Sequence, residues 1–283
     1  MIRIFSDSTC DLSEELLERY EISLVPLHIE LGDKEYRDRI EITTDEIFAW
    51  SDANNTTPKT SACAMDDTID LMKPVLDAGD EIVIFSISDS MSTTGNVFRL
   101  VTEELDAGDK VSVIDSANLS TGIGLLVVEA AVMAKEGKLR EEIVARMEVL
   151  KPKVRASFVV DTLVYLHRGG RCSSVAALAG SLLKLHPKII VENGAMSVSK
   201  KYRGKIGKVT TEYVKEMEES LKHAKKDRVF ITHSKAADDI VEEVKSYLLS
   251  LHVFDEIFVT EAGGVISCHC GPGTLGVLFI EGE

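Results

Sequence analysis

The sequence predicts an α/β protein of two lobes: an N-terminal α/β/α lobe around a parallel sheet, residues 1–152, and a C-terminal α/β lobe with a mixed sheet, residues 153–283. Three observations carry this. Short β-branched runs alternate with amphipathic stretches through the first 150 residues, and such alternation requires crossover connections and a parallel sheet with helices on both faces. Beyond residue 150 the order changes, because Asn193-Gly194 separates two strand-like runs and marks a hairpin, hence antiparallel pairing. The charge divides at the same place: residues 1–150 carry 31 Asp and Glu against 13 Lys and Arg, net −18, whereas residues 151–283 carry 16 against 19, net +3. Two lobes of complementary charge follow from that split.

Taken in order, residues 2–6 read as a strand, and Ser13 caps a helix over 14–20 with acids in its first turn. Residues 22–31 form a second strand that turns at Gly32-Asp33, Thr44 caps a helix through Trp50, and the irregular stretch 51–60 reads as a loop. A helix over 66–78 stops at Gly79; then come a strand at 81–86, a helix at 94–105, a strand at 110–115, a long helix at 119–135 and another near 140–150. In the second half, strands are expected at 157–161, 188–191, 195–200, 228–232, 256–260 and 275–280. Helices are expected near 161–171, ending at Gly169-Gly170, and at 175–185, 211–224 and 237–249.

Composition excludes several functions. A chain of 283 residues with 45% hydrophobic and 28% charged residues is long enough for a sizeable core and too apolar for disorder. The net charge of −15 opposes nucleic-acid binding, which depends on neutralising phosphates. No apolar run reaches a membrane span, so membrane contact is at most transient. The first residues lack a secretory pattern, and a cytoplasmic protein is expected. Five cysteines with no CxxC pair argue against a disulfide framework or zinc knuckle, and Cys268-His269-Cys270 has no second cluster to complete a metal site.

Ligands of open α/β sheets bind outside the carboxyl ends of the strands. Here those positions are rich in hydroxyls: Ser6-Asp7-Ser8-Thr9, Ser88 through Thr94, and Asp115-Ser116 with Ser120-Thr121-Gly122. Such loops also serve as helix caps, yet together they form a rim able to hold an anion by short hydrogen bonds. The stretch 261–276 reads as a glycine-rich turn bracketing His269, which brings backbone N–H groups and an imidazole near a ligand. Against this rim there is no P-loop, no GxGxxG after a strand, no GxSxG elbow and no HExxH. The loops look built to hold something rather than transform it.

Read together, Ser6–Leu12, Pro58-Lys59-Thr60-Ser61, the serine-rich loop ending Ser92-Thr93-Thr94, Ser120–Gly124, Asp161 through Arg171, Arg203-Gly204 and His269 through Thr274 stand in an order that resembles the DegV family of fatty-acid-binding proteins. The resemblance spans essentially the whole chain. It implies a long-chain fatty acid in an apolar tunnel between or within the lobes, with its carboxylate held by Thr60, Ser92 and His269. Ser61, Thr93 and Thr94 are further ligand-loop candidates. Leu119–Met133 and the 175–185 helix are candidate linings. It implies no catalytic residue, metal or cofactor. The bound acid would be presented to a fatty acid kinase catalytic subunit, and the resulting acyl phosphate would go to phospholipid synthesis. Arg168, Arg171 and Arg203 are the candidate partner face, being arginines in an acidic chain. The rival expectation is an acyl or phosphate ester hydrolase on the same loops, with Ser92 or Cys63 as nucleophile and His269 as base.

Overall fold

The computed structural model describes residues 1–176 and 185–282. Strands in the first part are β1 (Ile2–Asp7), β2 (Ile22–Val25), β3 (His28–Leu31), β4 (Lys34–Arg37), β5 (Lys59–Ser61), β6 (Glu81–Ser86) and β7 (Val111–Asp115). Those in the second are β8 (Val154–Val159), β9 (Leu185–Glu192), β10 (Ala195–Arg203), β11 (Arg228–Ser234), β12 (Glu256–Glu261) and β13 (Thr274–Ile280). β2-β1-β6-β7 form a parallel sheet, and β10-β9-β8-β13-β11-β12 a mixed one in which only β11 and β12 are parallel neighbours. Both sheets of the expected mixed α/β class are therefore present.

Local signals set most boundaries. Helix Glu14–Tyr20 begins where the Ser13 hydroxyl accepts from the Leu16 N–H and ends where Glu21 turns left-handed at φ 55°. The hairpin of β9 and β10 turns at Asn193-Gly194, both with positive φ. Helix Thr121–Lys135 is buried almost all round over its first eleven residues because it packs against β1, β8 and β13.

Several expectations fail, some of them where a longer-range partner outweighs the local pattern. The strand expected over 22–31 is two strands, split at Pro26, which has no N–H for a continuing ladder. β2 stays parallel to β1, while β3 joins β4 and β5 in a small antiparallel sheet. That sheet consumes the end of the expected loop 51–60, since residues 59–61 become strand once β3 offers a partner. The preceding helix runs from Thr44 to Asn54, past Trp50. Its cap is Thr43, not Thr44: the Thr43 backbone is extended and exchanges bonds with Glu46 in a capping box. The helix expected over 211–224 starts at Ile206 and is interrupted at Met217. The supposed turn 261–276 contains a two-turn helix, Gly264–Cys270. Most of the helix expected at 175–185 lies outside the described residues, while Leu185 opens β9. Among the described residues no helix is long and apolar enough to cross a membrane.

Candidate functional site

The loops after the carboxyl ends of β6 and β7 face the carboxyl end of β11 and helix Gly264–Cys270 across a cavity of about 450 Å³. This size is ordinary for a small-molecule site. Its wall is largely apolar, with Leu27, Ile87, Met91, Leu119, Phe158, Leu166 and Leu278 contributing from both halves of the chain. Of the expected lining helix 119–133 only Leu119 and Ser120 reach the cavity. Residues 121–131 are consumed by the core, as an all-round apolar helix between two sheets must be.

Polar groups gather in the same cavity. Thr60, Ser61, Ser92, Thr93 and His269 all line it. Thr60 arrives on β5 and His269 at the end of helix Gly264–Cys270, so residues 209 apart in sequence meet with Oγ1 and Nε2 2.8 Å apart. The Ser92 hydroxyl pairs with Thr94 Oγ1 at 2.9 Å. Thr94 is fully buried and does not line the cavity, so it supports Ser92 from behind. The serine loop is tied in turn to the β9–β10 hairpin, where the Ser88 hydroxyl donates to the Gly194 carbonyl at 2.7 Å and Ser90 donates to the same oxygen.

Burial sets the protonation of His269. Loss of solvent, reinforced by the Arg171 guanidinium, holds the imidazole down at about 4, so it is neutral near pH 7. Among the described residues its Nδ1 is buried without a partner, against Gly169, where an added Cβ would come within 2.3 Å. A buried N–H without an acceptor costs more than an idle lone pair, so the proton belongs on Nε2. His269 then donates to Thr60 Oγ1, and the Thr60 O–H is left free to donate into the cavity. The arrangement offers neutral hydroxyl donors to an anion in an apolar pocket.

The same geometry pairs the residues of the hydrolase expectation with other partners. Ser92 is bonded to Thr94, not His269, and His269 has one ring nitrogen on Thr60 and the other against backbone. Burial pushes the Cys63 thiol up to about 12, far from a thiolate at neutral pH. Cys268 and Cys270 are buried free thiols, also raised by burial. Among the described residues no three His, Cys, Asp or Glu side chains cluster as metal ligands.

The three arginines do not share one setting. Arg168 is exposed at the end of helix Val164–Gly169. Arg171 follows, donating to the Gly169 carbonyl at 2.7 Å, and lines the cavity beside His269. Arg203 is exposed at the end of β10, opposite Leu185. Arg171 is exposed like the other two and in addition lines the cavity, a second place that sequence reasoning did not give it. The Gly169-Gly170 pair beside it was the available signal, since only glycine lets the chain come so close to an imidazole. Sequence reasoning also missed Asp11 and Asp38, two buried carboxylates that accept from the Gly263 and Gly264 N–H groups, each at 2.8 Å.

Comparison with known proteins gives a consistent answer. The family model described as an uncharacterised protein of the DegV family matches residues 1–282. A DegV domain-containing protein of Clostridium perfringens is 30% identical over 282 residues, covering 99% of this chain and 98% of the relative. The structure of a fatty-acid-binding DegV family protein from Thermus thermophilus superposes with a TM-score of 0.91 at 31% identity, over 99% of each chain. A stearic-acid-binding protein from Eubacterium ventriosum superposes at 0.85 with 28% identity, over 99% of this chain and 98% of that one. The chain belongs to the DegV family.

Proposed function

We propose that this chain binds a long-chain fatty acid in the cavity, with the acyl chain between lobes spanning 1–152 and 153–283 and the carboxylate at Thr60, Ser92 and His269. Ser61 and Thr93 flank that end, and Thr94 braces Ser92. The observation that carries the reading is the neutral Thr60–His269 pair opening on an apolar cavity. Burying ~14 methylenes at ~0.8 kcal/mol each offers about 11 kcal/mol before the costs of association. A carboxylate drawn into such a site costs several kcal/mol unless hydrogen-bonded, which the hydroxyls supply. The fatty-acid binding of the Thermus thermophilus and Eubacterium ventriosum proteins supports the ligand class.

In this reading the chain is a cytoplasmic carrier without catalytic residues or cofactor. It presents the carboxylate to a fatty acid kinase catalytic subunit, and the acyl phosphate passes to phospholipid synthesis. Arg168, Arg171 and Arg203, cations on an acidic protein, are the proposed kinase face. The bonding of His269 to Thr60 and of Ser92 to Thr94, with the Cys63 thiol raised by burial, supports this over an acyl or phosphate ester hydrolase. The test is calorimetric titration with stearic acid. Thr60→Ala combined with Ser92→Ala should weaken binding about tenfold or more at two lost hydrogen bonds of ~1 kcal/mol each. An unchanged affinity refutes their roles.

A further inference from the structure

We infer that Asp11 and Asp38 are positioning residues for His269: from the first half of the chain they clamp the start of the short helix that aims its imidazole at Thr60. Helix Gly264–Cys270 has only seven residues, too few to hold itself together in water. Its cap residue, Gly263, has no side chain to satisfy the first N–H groups, and no side-chain cap bond is present there. The acceptors come instead from far away in sequence. Asp11 Oδ1 accepts from the Gly263 N–H, and Asp38 Oδ1 from the Gly264 N–H, with the Val265 N–H also on Asp38.

Each carboxylate is itself fixed by its other oxygen. Asp38 Oδ2 accepts from the Ser8 hydroxyl at 2.7 Å, and Asp11 Oδ2 from the Ser120 hydroxyl at 2.5 Å. Ser120 lines the cavity with φ 53° and ψ −147°, a conformation costly for any residue but glycine. Asp11 thus joins a strained piece of cavity wall to the start of the helix. Packing leaves little play there, because a Cβ at Gly264 would come within 2.6 Å of both Ile29 Cδ1 and Ile47 Cδ1.

The device is expensive where a cheap one exists. A serine or asparagine at position 263 would cap the helix locally. Instead two carboxylates are buried, and burial pushes Asp38 up and Asp11 to about 7, each further raised or offset by its neighbours. What the costly version adds is a reference point in the same half of the chain as Thr60. From Gly264 to His269 the helix rises ~7.5 Å. A tilt of about 4° at the clamp therefore moves the imidazole by ~0.5 Å, enough to degrade a 2.8 Å hydrogen bond.

This inference rests on the reading of Thr60 and His269 as the head-group end, so the test compares stearic acid with methyl stearate, which shares the chain but not the carboxylate. Asp38→Ala should cut the preference for acid over ester about tenfold and shift the His269 ring ¹⁵N resonances. Asp38→Asn, which keeps an oxygen facing Gly264, should restore much of both. Ser8→Ala, a milder change in case the first variant does not fold, should cut the preference about threefold. The inference is overturned if acid and ester affinities fall together, or if Ser8→Ala and the folded Asp38 variants keep the wild-type preference and ring shifts. His269→Ala distinguishes the two failures: if it too keeps the preference, the head-group reading is what fails.

Discussion

Helix Thr121–Lys135 and strand β11 meet at two points, and the two could hardly differ more. At one, Thr121 Oγ1 lies 2.6 Å from Thr232 Oγ1, which continues to Thr260 Oγ1 at 3.0 Å, a neutral chain beside the cavity. At the other, Glu129 accepts from Arg228 at 3.1 Å and from Lys225 at 2.5 Å, and Asp227 completes a network of two acids and two bases. The spacing is geometric. Eight residues of helix rise ~12 Å and four of strand ~13 Å, so one contact fixes the register of the other. The charged contact is compensated and offers nothing to a ligand. The neutral one adjoins hydroxyls and an imidazole whose donors are not spent on counter-ions. A protein that must hold an anion in an apolar pocket does better to keep such a network away from the hydroxyls that would receive it.

The largest test of this contrast is Glu129→Ala. Arg228 is buried and would lose a partner, so stability to urea should fall by ~3–5 kcal/mol. Stearic acid affinity of the folded variant should stay within twofold. A large loss of affinity would show that the two contacts are not separable.

A smaller effect is expected from pH at the neutral end. The His269 pKa is depressed to about 4 in the fold and returns toward 6.5 on unfolding, so the unfolded chain takes up a proton as pH falls through that window. The stability this residue allows is complete above about 6.5 and is lost toward 4. Denaturation at pH 7 and pH 4.5 should therefore show the wild-type advantage over His269→Gln shrinking by roughly 2–3 kcal/mol. A gap independent of pH would mean that the imidazole is not held neutral. Asp7 and Asp11, raised to about 6 and 7, act in the opposite sense in both proteins and cancel in the difference.

The smallest effect is expected at the rim of the charged contact, where Glu256 stands across from Arg228 and pairs with Arg19 at 2.7 Å. Both side chains are solvated, so Arg19→Ala should leave the urea midpoint unresolved from wild type. A clear loss would extend the network's contribution to its surface.

Much of this was legible along the chain. Ser13 before Glu14-Glu15, Asn193-Gly194, and the β-branched runs at 81–86 and 228–232 announce their elements because capping, turn geometry and side-chain alternation are local physics. The hydroxyl-rich loops and His269 were visible as residue types at the right ends of strands. What the local pattern hid has a common cause. Pro26 looked like part of a long strand, 51–60 like a loop, and 261–276 like a turn, since each takes its conformation from a partner distant in sequence.

Residue order alone thus determined the α/β class, the parallel and mixed sheets and the pool of hydroxyls, since these follow from propensities and periods a few residues long. Only the tertiary structure decided that Thr60 would meet His269, that Arg171 would turn toward the cavity, and that Asp11 and Asp38 would anchor a helix from another part of the chain. Those outcomes depend on packing between segments some 200 residues apart, where burial and hydrogen-bond satisfaction, not local preference, select the partner.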